Sequence, residues 1–145
     1  MKISTRGRYA LRFMIDLARY GNGPYALLRD IAARQRISLK YLEQIATALG
    51  KAGLIKSIRG PQGGYRLTRS PQEYTVGDIL RLTEGDLAPV PCAAQDPADC
   101  PRSEDCATLP VWRGLNRVIN EYLDGITLQD LLDQQRAHYA NDYMI

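Results

Sequence analysis

The chain has 145 residues, 45% of them apolar, and a net charge of +3. That is enough for one real core with an accessory element and is unlike the composition of a disordered protein. No apolar run approaches the roughly 18 residues that a membrane span needs, and Met1-Lys2-Ile3-Ser4 leads into an amphipathic pattern without a signal-peptide block, so the expectation is a cytoplasmic protein with no membrane partner. Divided after Ser70, the first part holds 14 Lys/Arg against 3 Asp/Glu and the second 5 against 13, so the two parts carry +11 and −8. A basic front part suggests a polyanion as partner, because neutralising phosphates releases their counterions; a solvated basic surface is the plainer alternative.

In chain order, Tyr9, Phe13 and Leu17, with Ala10, Met14 and Ala18 beside them, make one apolar stripe and predict a helix over Thr5–Tyr20. After the turn Gly21-Asn22-Gly23-Pro24, a shorter helix is predicted from about Leu28 to Arg36 with Leu28, Ile31 and Ala32 inward. Ser38 is the N-cap of a third helix whose buried face is Leu39, Leu42, Ile45, Ala46 and Leu49, leaving Lys40, Glu43, Gln44, Thr47 and Lys51 on the opposite, polar face. Leu54–Ile58 and Tyr65–Thr68, joined by Arg59-Gly60-Pro61-Gln62-Gly63-Gly64, read as a hairpin with a long glycine-rich tip. Three helices followed by a hairpin describe a winged helix-turn-helix, a mainly α fold with a small β-hairpin wing.

Further on, Thr75 and Asp78 form a capping-box-like start for a helix with Val76, Ile79 and Leu80 inward, ending near Gly85. The stretch from Asp86 to Leu109 is rich in Pro, Asp and Ala and has little means of burying a core of its own. From Pro110 to Asp124, Val111, Leu115, Val118 and Tyr122 step by four, three and four residues, the spacing of a coiled-coil seam that calls for a partner helix. Thr127 and Asp130 cap a last helix carrying Leu128, Leu131 and Leu132, with fraying expected from His138 onward. The expected organisation is a DNA-binding unit over 1–84, a cysteine-bearing sensor loop over 85–109, and a dimerisation and C-terminal helix unit over 110–145.

A helix entering the major groove meets base edges with its N-terminal residues. On the third helix, Lys40 can donate to guanine, Gln44 can bond adenine through both amide atoms, and Glu43 can accept from cytosine, whereas Tyr41 meets the DNA backbone or packs. An ordinary amphipathic helix with a solvated face is the bland reading of this pattern; the basic front part and the hairpin weigh against it. At the hairpin tip, the glycines let the backbone approach a sugar-phosphate chain while Arg59 reaches into the minor groove. Ser38, Gly60, Gln62 and Gly63 flank these groups and complete the candidate DNA contacts, together with Arg8 at the start of the first helix, where the dipole disfavours a cation and an outside anion would favour it. No Gly-Lys-Ser/Thr follows the glycines, which makes a nucleotide phosphate loop a poor alternative.

The three cysteines, Cys92, Cys100 and Cys106, lie within 15 residues. An odd number in a chain read as cytoplasmic argues against a disulfide framework and points to metal or redox chemistry. Thiolates in such a loop suit soft metals; structural zinc is disfavoured because there is no Cys-x2-Cys pair and His138 is remote in sequence. A metal-free thiol switch and a loop of free thiols stay open. An enzyme with a small-molecule substrate has only the cysteines and the acidic neighbours Asp96, Asp99, Glu104 and Asp105 in its favour, without a nucleophile-base pair or cofactor loop.

Three segments, Lys2-Ile3-Ser4-Thr5-Arg6-Gly7-Arg8-Tyr9-Ala10-Leu11, Ile37-Ser38-Leu39-Lys40-Tyr41-Leu42-Glu43-Gln44 and Ser57-Ile58-Arg59-Gly60-Pro61-Gln62-Gly63-Gly64-Tyr65, strongly resemble the IscR/NsrR/CymR-type (Rrf) family of bacterial regulators. The resemblance spans nearly the whole chain, including Ile126-Thr127-Leu128. It implies a homodimer held by the helix from about Pro110, reading a pseudo-palindromic operator in double-stranded DNA through Glu43, Gln44 and Arg59. Lys40 stands where some members carry a small polar residue. Members with three cysteines in this loop bind an iron-sulfur cluster, 2Fe-2S or 4Fe-4S, and the spacing Cys92-x7-Cys100-x5-Cys106 is similar to theirs. The fourth ligand that some relatives take from a His three residues after the last cysteine is Leu109 here, and the acidic residue that others use near the start of the first helix is Arg8. Asp105, Glu104, His138, a partner-chain group or an exchangeable small ligand are the alternatives. The resemblance also allows a cluster-free regulator of the cysteine-metabolism type, signalled by a partner protein or thiol oxidation.

Overall fold

A computed structural model describes residues 1–20, 25–61, 63–94 and 100–143. The turn at 21–24, Gln62 at the hairpin tip, and Asp96 and Asp99 lie outside the described residues. The elements run α1 (Thr5–Tyr20), α2 (Leu28–Gln35), α3 (Leu39–Lys51), β1 (Ile55–Ile58), β2 (Gly64–Leu67), α4 (Val76–Glu84), α5 (Leu109–Asp124) and α6 (Leu128–Asp142), with short 3-10 turns at Pro71–Glu73 and Pro91–Ala93. This is the winged helix-turn-helix expected from the periodicity, followed by a long helix. Among the described residues no helix is long and apolar enough to cross a membrane.

The stripe on α1 forms the centre of the main core: Ala10, Phe13, Met14 and Leu17 are fully buried against Ile31 of α2, Leu42, Ile45 and Leu49 of α3, and Ile79 of α4. Burial of side chains of this size stabilises by roughly 1.5–3 kcal/mol each, so α1 is the spine onto which α2, α3 and α4 are fixed. Leu39, expected inside, is 43% exposed. It is the first residue of α3, in the turn that precedes the buried row Leu42, Ile45, Ala46 and Leu49.

β1 and β2 pair antiparallel, with Ile55 opposite Leu67 and Ile58 opposite Gly64. Ala26 extends the hairpin by a bridge to Tyr65, made by two backbone hydrogen bonds of 2.9 and 2.8 Å. A fixation not foreseen from the sequence comes from Tyr74. Its fully buried ring carries a hydroxyl that donates to the Leu54 carbonyl (2.7 Å) and accepts from the Thr68 and Arg69 N–H groups (3.0 Å each). The base of the wing is thereby tied to the core.

The capping boxes are formed as expected. Thr75 exchanges bonds with Asp78, and Thr127 with Asp130, while Ser38 Oγ accepts from the Tyr41 N–H at 3.2 Å. α6 continues to Asp142, where fraying had been expected. Its first turn reaches the main core through fully buried Leu128, and the backbone of Tyr74 holds it by a 3.0 Å bond from the Leu128 N–H.

The two sides of α5 differ. Ile119 and Leu123 pack on Val76 and Leu80 of α4 in a second, smaller cluster. Arg81 clamps the same side, donating to Asn120 Oδ1 (2.8 Å) and Asp124 Oδ2 (2.7 Å). The other side leaves Val111, Leu115, Val118 and Tyr122 at 58, 42, 57 and 68% exposure.

Candidate functional site

The turn between α2 and α3 sets the direction of α3. α2 ends on Arg36 in a left-handed conformation (φ 54°, ψ 47°), and the Ile37 N–H bonds back to the Ala32 carbonyl at 3.1 Å. Ile37 is buried and Ser38 starts α3. The end of α2 is further fixed to α1 by a polar network. Asp16, buried to 1%, accepts from Arg34 at 2.7 and 3.1 Å and from Gln35 Nε2 at 2.9 Å, and Gln35 accepts in turn from Arg12 through both its side-chain and main-chain oxygens.

With α3 held in this way, Lys40, Glu43, Gln44, Thr47 and Lys51 are all exposed on one face. Lys40, Glu43 and Gln44 supply a cation, a carboxylate and an amide side by side, a set able to address donor and acceptor patterns on base edges. Thr47 turns its hydroxyl back to the Glu43 carbonyl at 2.8 Å. Tyr41 is half-buried and packs edge-on against Tyr9 of α1, with ring centroids 5.8 Å apart. Ser38 spends its hydroxyl as the cap of α3.

At the wing tip Arg59, Gly60 and Pro61 are exposed. Gly60 has φ 113°, and the Gly63 N–H closes the turn on the Gly60 carbonyl at 2.9 Å. A Cβ on Gly63 would collide with the Ile58 carbonyl, so the tight tip that projects Arg59 depends on glycine at both positions. Lys2, Arg6 and Arg8 are exposed at the start of α1, with Arg8 donating to Thr5 Oγ1 at 3.0 Å.

All three cysteines are free and half-buried. Cys92 lies in the 3-10 turn Pro91–Ala93, which is fastened to α5 by Asn116 donating to the Ala93 carbonyl at 3.1 Å. Cys106 lies two residues before Thr108, the cap of α5. The Thr108 hydroxyl, 3.4 Å from its Sγ, holds the Cys106 thiol below the usual thiol range, helped by the Thr108 and Leu109 N–H groups and the charge of Arg102. Three reduced thiols, one of them biased toward thiolate, are suitable donors for a soft metal or iron-sulfur cluster. Among the described residues, however, no three Cys, His, Asp or Glu side chains are gathered around a common point. His138 lies on the outside of α6, 3.5 Å from Asp142.

A lowered thiol pKa means more thiolate at neutral pH and faster alkylation. The pH midpoint of Cys106 labelling by iodoacetamide, followed by mass spectrometry, is expected below that of a free cysteine. Thr108→Val should move it upward; an unmoved midpoint would show that the hydroxyl has no part in it.

Comparison with known proteins agrees with this architecture. Residues 3–134 match the family model Rrf2, described as iron-dependent transcriptional regulator. The chain is 38% identical over 142 residues to the HTH-type transcriptional regulator IscR of Aliivibrio salmonicida, covering 98% of this chain and 83% of that protein. It is 43% identical over 132 residues to CymR of Bacillus subtilis, covering 90% and 89%. The solved structure of CymR (YrzC), the global cysteine regulator of B. subtilis, matches with a TM-score of 0.78 at 41% identity, over 92% of this chain and 98% of that one. IscR of T. potens matches with a TM-score of 0.73 at 43% identity, over 93% and 88%. The chain therefore belongs to the Rrf2 family of winged helix-turn-helix, DNA-binding transcriptional regulators, proteins that are not enzymes.

Proposed function

We propose that the chain works in the cytoplasm as a homodimer that reads a pseudo-palindromic operator, and that Cys92, Cys100 and Cys106 sense iron-sulfur or redox status. The observation that carries the reading is the exposed polar face of α3 on the same basic unit as the arginine-tipped wing, both fixed to α1. In this reading Lys40, Glu43 and Gln44 meet base edges, and Arg59 enters the minor groove beside Gly60, Gln62 and Gly63. Arg8 meets phosphate, and Ser38 and Tyr41 hold the entering end of α3 in place. Residues 1–84 form the reading unit, 85–109 the sensor and 110–145 the dimerisation unit, with the row Val111, Leu115, Val118 and Tyr122 facing its copy in the second protomer.

The three thiols would hold the cluster, which supplies a charge and an oxidation state that change with iron and oxidant supply. What the chain contributes is a contiguous set of contacts from the cysteine segment to the reading head. The Cys92 turn is pinned to Asn116, Cys106 leads into α5, α5 is clamped to α4 by Arg81, and Glu84 at the end of α4 accepts from the Ser4 N–H and hydroxyl in front of α1. A change in order of the segment thus has a path to the spacing of the two reading heads.

The second reading, a cluster-free regulator of the cysteine-metabolism type, is favoured by the absence of a gathered donor set among the described residues and by the likeness to CymR. The test is anaerobic purification with iron and sulfide analysis, followed by titration of duplexes selected by the protein from a random pool. Brown protein containing iron and sulfide, with duplex affinity that changes on cluster loss, is the expected result. Colourless, iron-free protein that still selects a duplex would favour the second reading, and protein that selects no duplex would refute both.

A further inference from the structure

Arg36 is the only non-glycine with positive φ among the described residues. An L side chain in the left-handed region crowds its own backbone, and glycine is the ordinary occupant of such a helix end. The turn needs this conformation, since the Arg36 and Ile37 N–H groups close the end of α2 on the Ala33 and Ala32 carbonyls at 3.4 and 3.1 Å. It does not need the side chain. Arg36 is exposed, and among the described residues its guanidinium has no hydrogen bond or ion pair. A cation at the C-terminal end of a helix is favourable in itself, but that end already has two: Arg34 in its last turn and Arg12, which donates to the Gln35 carbonyl.

A side chain that costs the fold something and returns nothing to it directs attention outward. Arg36 stands two residues before the N-cap of α3. A helix that enters the major groove by its N-terminal end brings the residues just ahead of that end up to the sugar-phosphate strand bordering the groove. We propose that Arg36 is a backbone-phosphate contact of the helix-turn-helix, binding duplex DNA without regard to base sequence. The proposal rests on the reading of α3 as the groove-entering helix.

The test compares wild type, Arg36→Gly and Arg36→Lys in full-length protein, with a duplex that wild type selects from a random pool and an unrelated duplex of equal length, between 50 and 200 mM salt. Thermal unfolding is followed in parallel. Arg36→Gly relieves the backbone, so its Tm is expected to equal or exceed that of wild type. Its affinity is expected to fall by the same factor on both duplexes. The slope of log affinity against log salt should become shallower by about 0.9 per protomer, so the wild-type advantage shrinks about 3.5-fold per protomer across this salt range. Arg36→Lys should recover most of the loss. Unchanged affinity and slope in Arg36→Gly would overturn the proposal, as would a loss confined to the selected duplex or one accompanied by a lower Tm and an unchanged slope. Wild type that binds neither duplex would refute the underlying reading of α3 as well.

Discussion

Val118→Asp is expected to turn the protein into a folded monomer that has lost more than about 100-fold of its operator affinity. Val118 is 57% exposed and sits in the middle of the row formed with Val111, Leu115 and Tyr122. An aspartate there meets water in the single chain and costs it little. In a pair of α5 helices the same change removes two of eight seam side chains and places two carboxylates in an apolar surrounding. That costs several kcal/mol, comparable to what the rest of the seam supplies. Half-exposed side chains of this size gain roughly 1 kcal/mol each on burial, about 8 kcal/mol for eight of them before the cost of association. The loss of DNA affinity follows from valency, since two linked reading heads bind about 10²–10⁴ more tightly than one. Sedimentation should give half the wild-type mass with an unchanged circular dichroism spectrum. Wild type that is itself monomeric, or a variant that stays dimeric and binds as before, would remove α5 from its assigned role.

The exposed apolar row on α5 was legible because it is a purely local pattern. The steps of four, three and four residues place four apolar groups on one side of α5, while Ile119 and Leu123 take the other side. The caps at Ser38, Thr75 and Thr127 were legible for the same reason, each being a side chain bonding to a backbone N–H three residues ahead. What escaped reading depends on pairs far apart in the chain. Tyr74 finds its partners at Leu54 and at Thr68–Arg69, and Asp16 finds Arg34 and Gln35 on another helix. A lone aspartate between Ile15 and Leu17 carries no periodic signal of burial. Arg36 escaped because the usual mark of a left-handed helix end is glycine or asparagine. The cysteine spacing pointed to chemistry but not to geometry. What fixes the described part of the segment is remote in sequence, as where Asn116 of α5 holds the Ala93 carbonyl, and local pattern does not encode that.

Of the two partners in the buried ion pair, Arg34 is expected to be the more costly to remove. The Asp16 side chain is fully buried, whereas that of Arg34 is 35% exposed. In Asp16→Ala the freed guanidinium keeps part of its hydration and can turn to solvent, so the loss is mainly that of the pair and its packing, about 2 kcal/mol. In Arg34→Ala the carboxylate stays buried with Gln35 as its remaining donor, and an uncompensated buried charge costs roughly 3–5 kcal/mol. For a chain of this size 3 kcal/mol corresponds to a fall in Tm of about 10 °C. The consequence extends beyond stability, because the Arg34–Asp16–Gln35–Arg12 network fixes the end of α2 from which α3 departs. Arg34→Ala should therefore lose discrimination between selected and unrelated duplexes at temperatures well below its Tm, while its salt slope stays near that of wild type, because Arg34 faces Asp16 and not phosphate. Calorimetry and duplex titration on the two variants decide the matter. An Asp16→Ala protein less stable than Arg34→Ala would mean that the stability lies in Asp16 gathering Arg34 and Gln35 together, and not in neutralising a buried carboxylate.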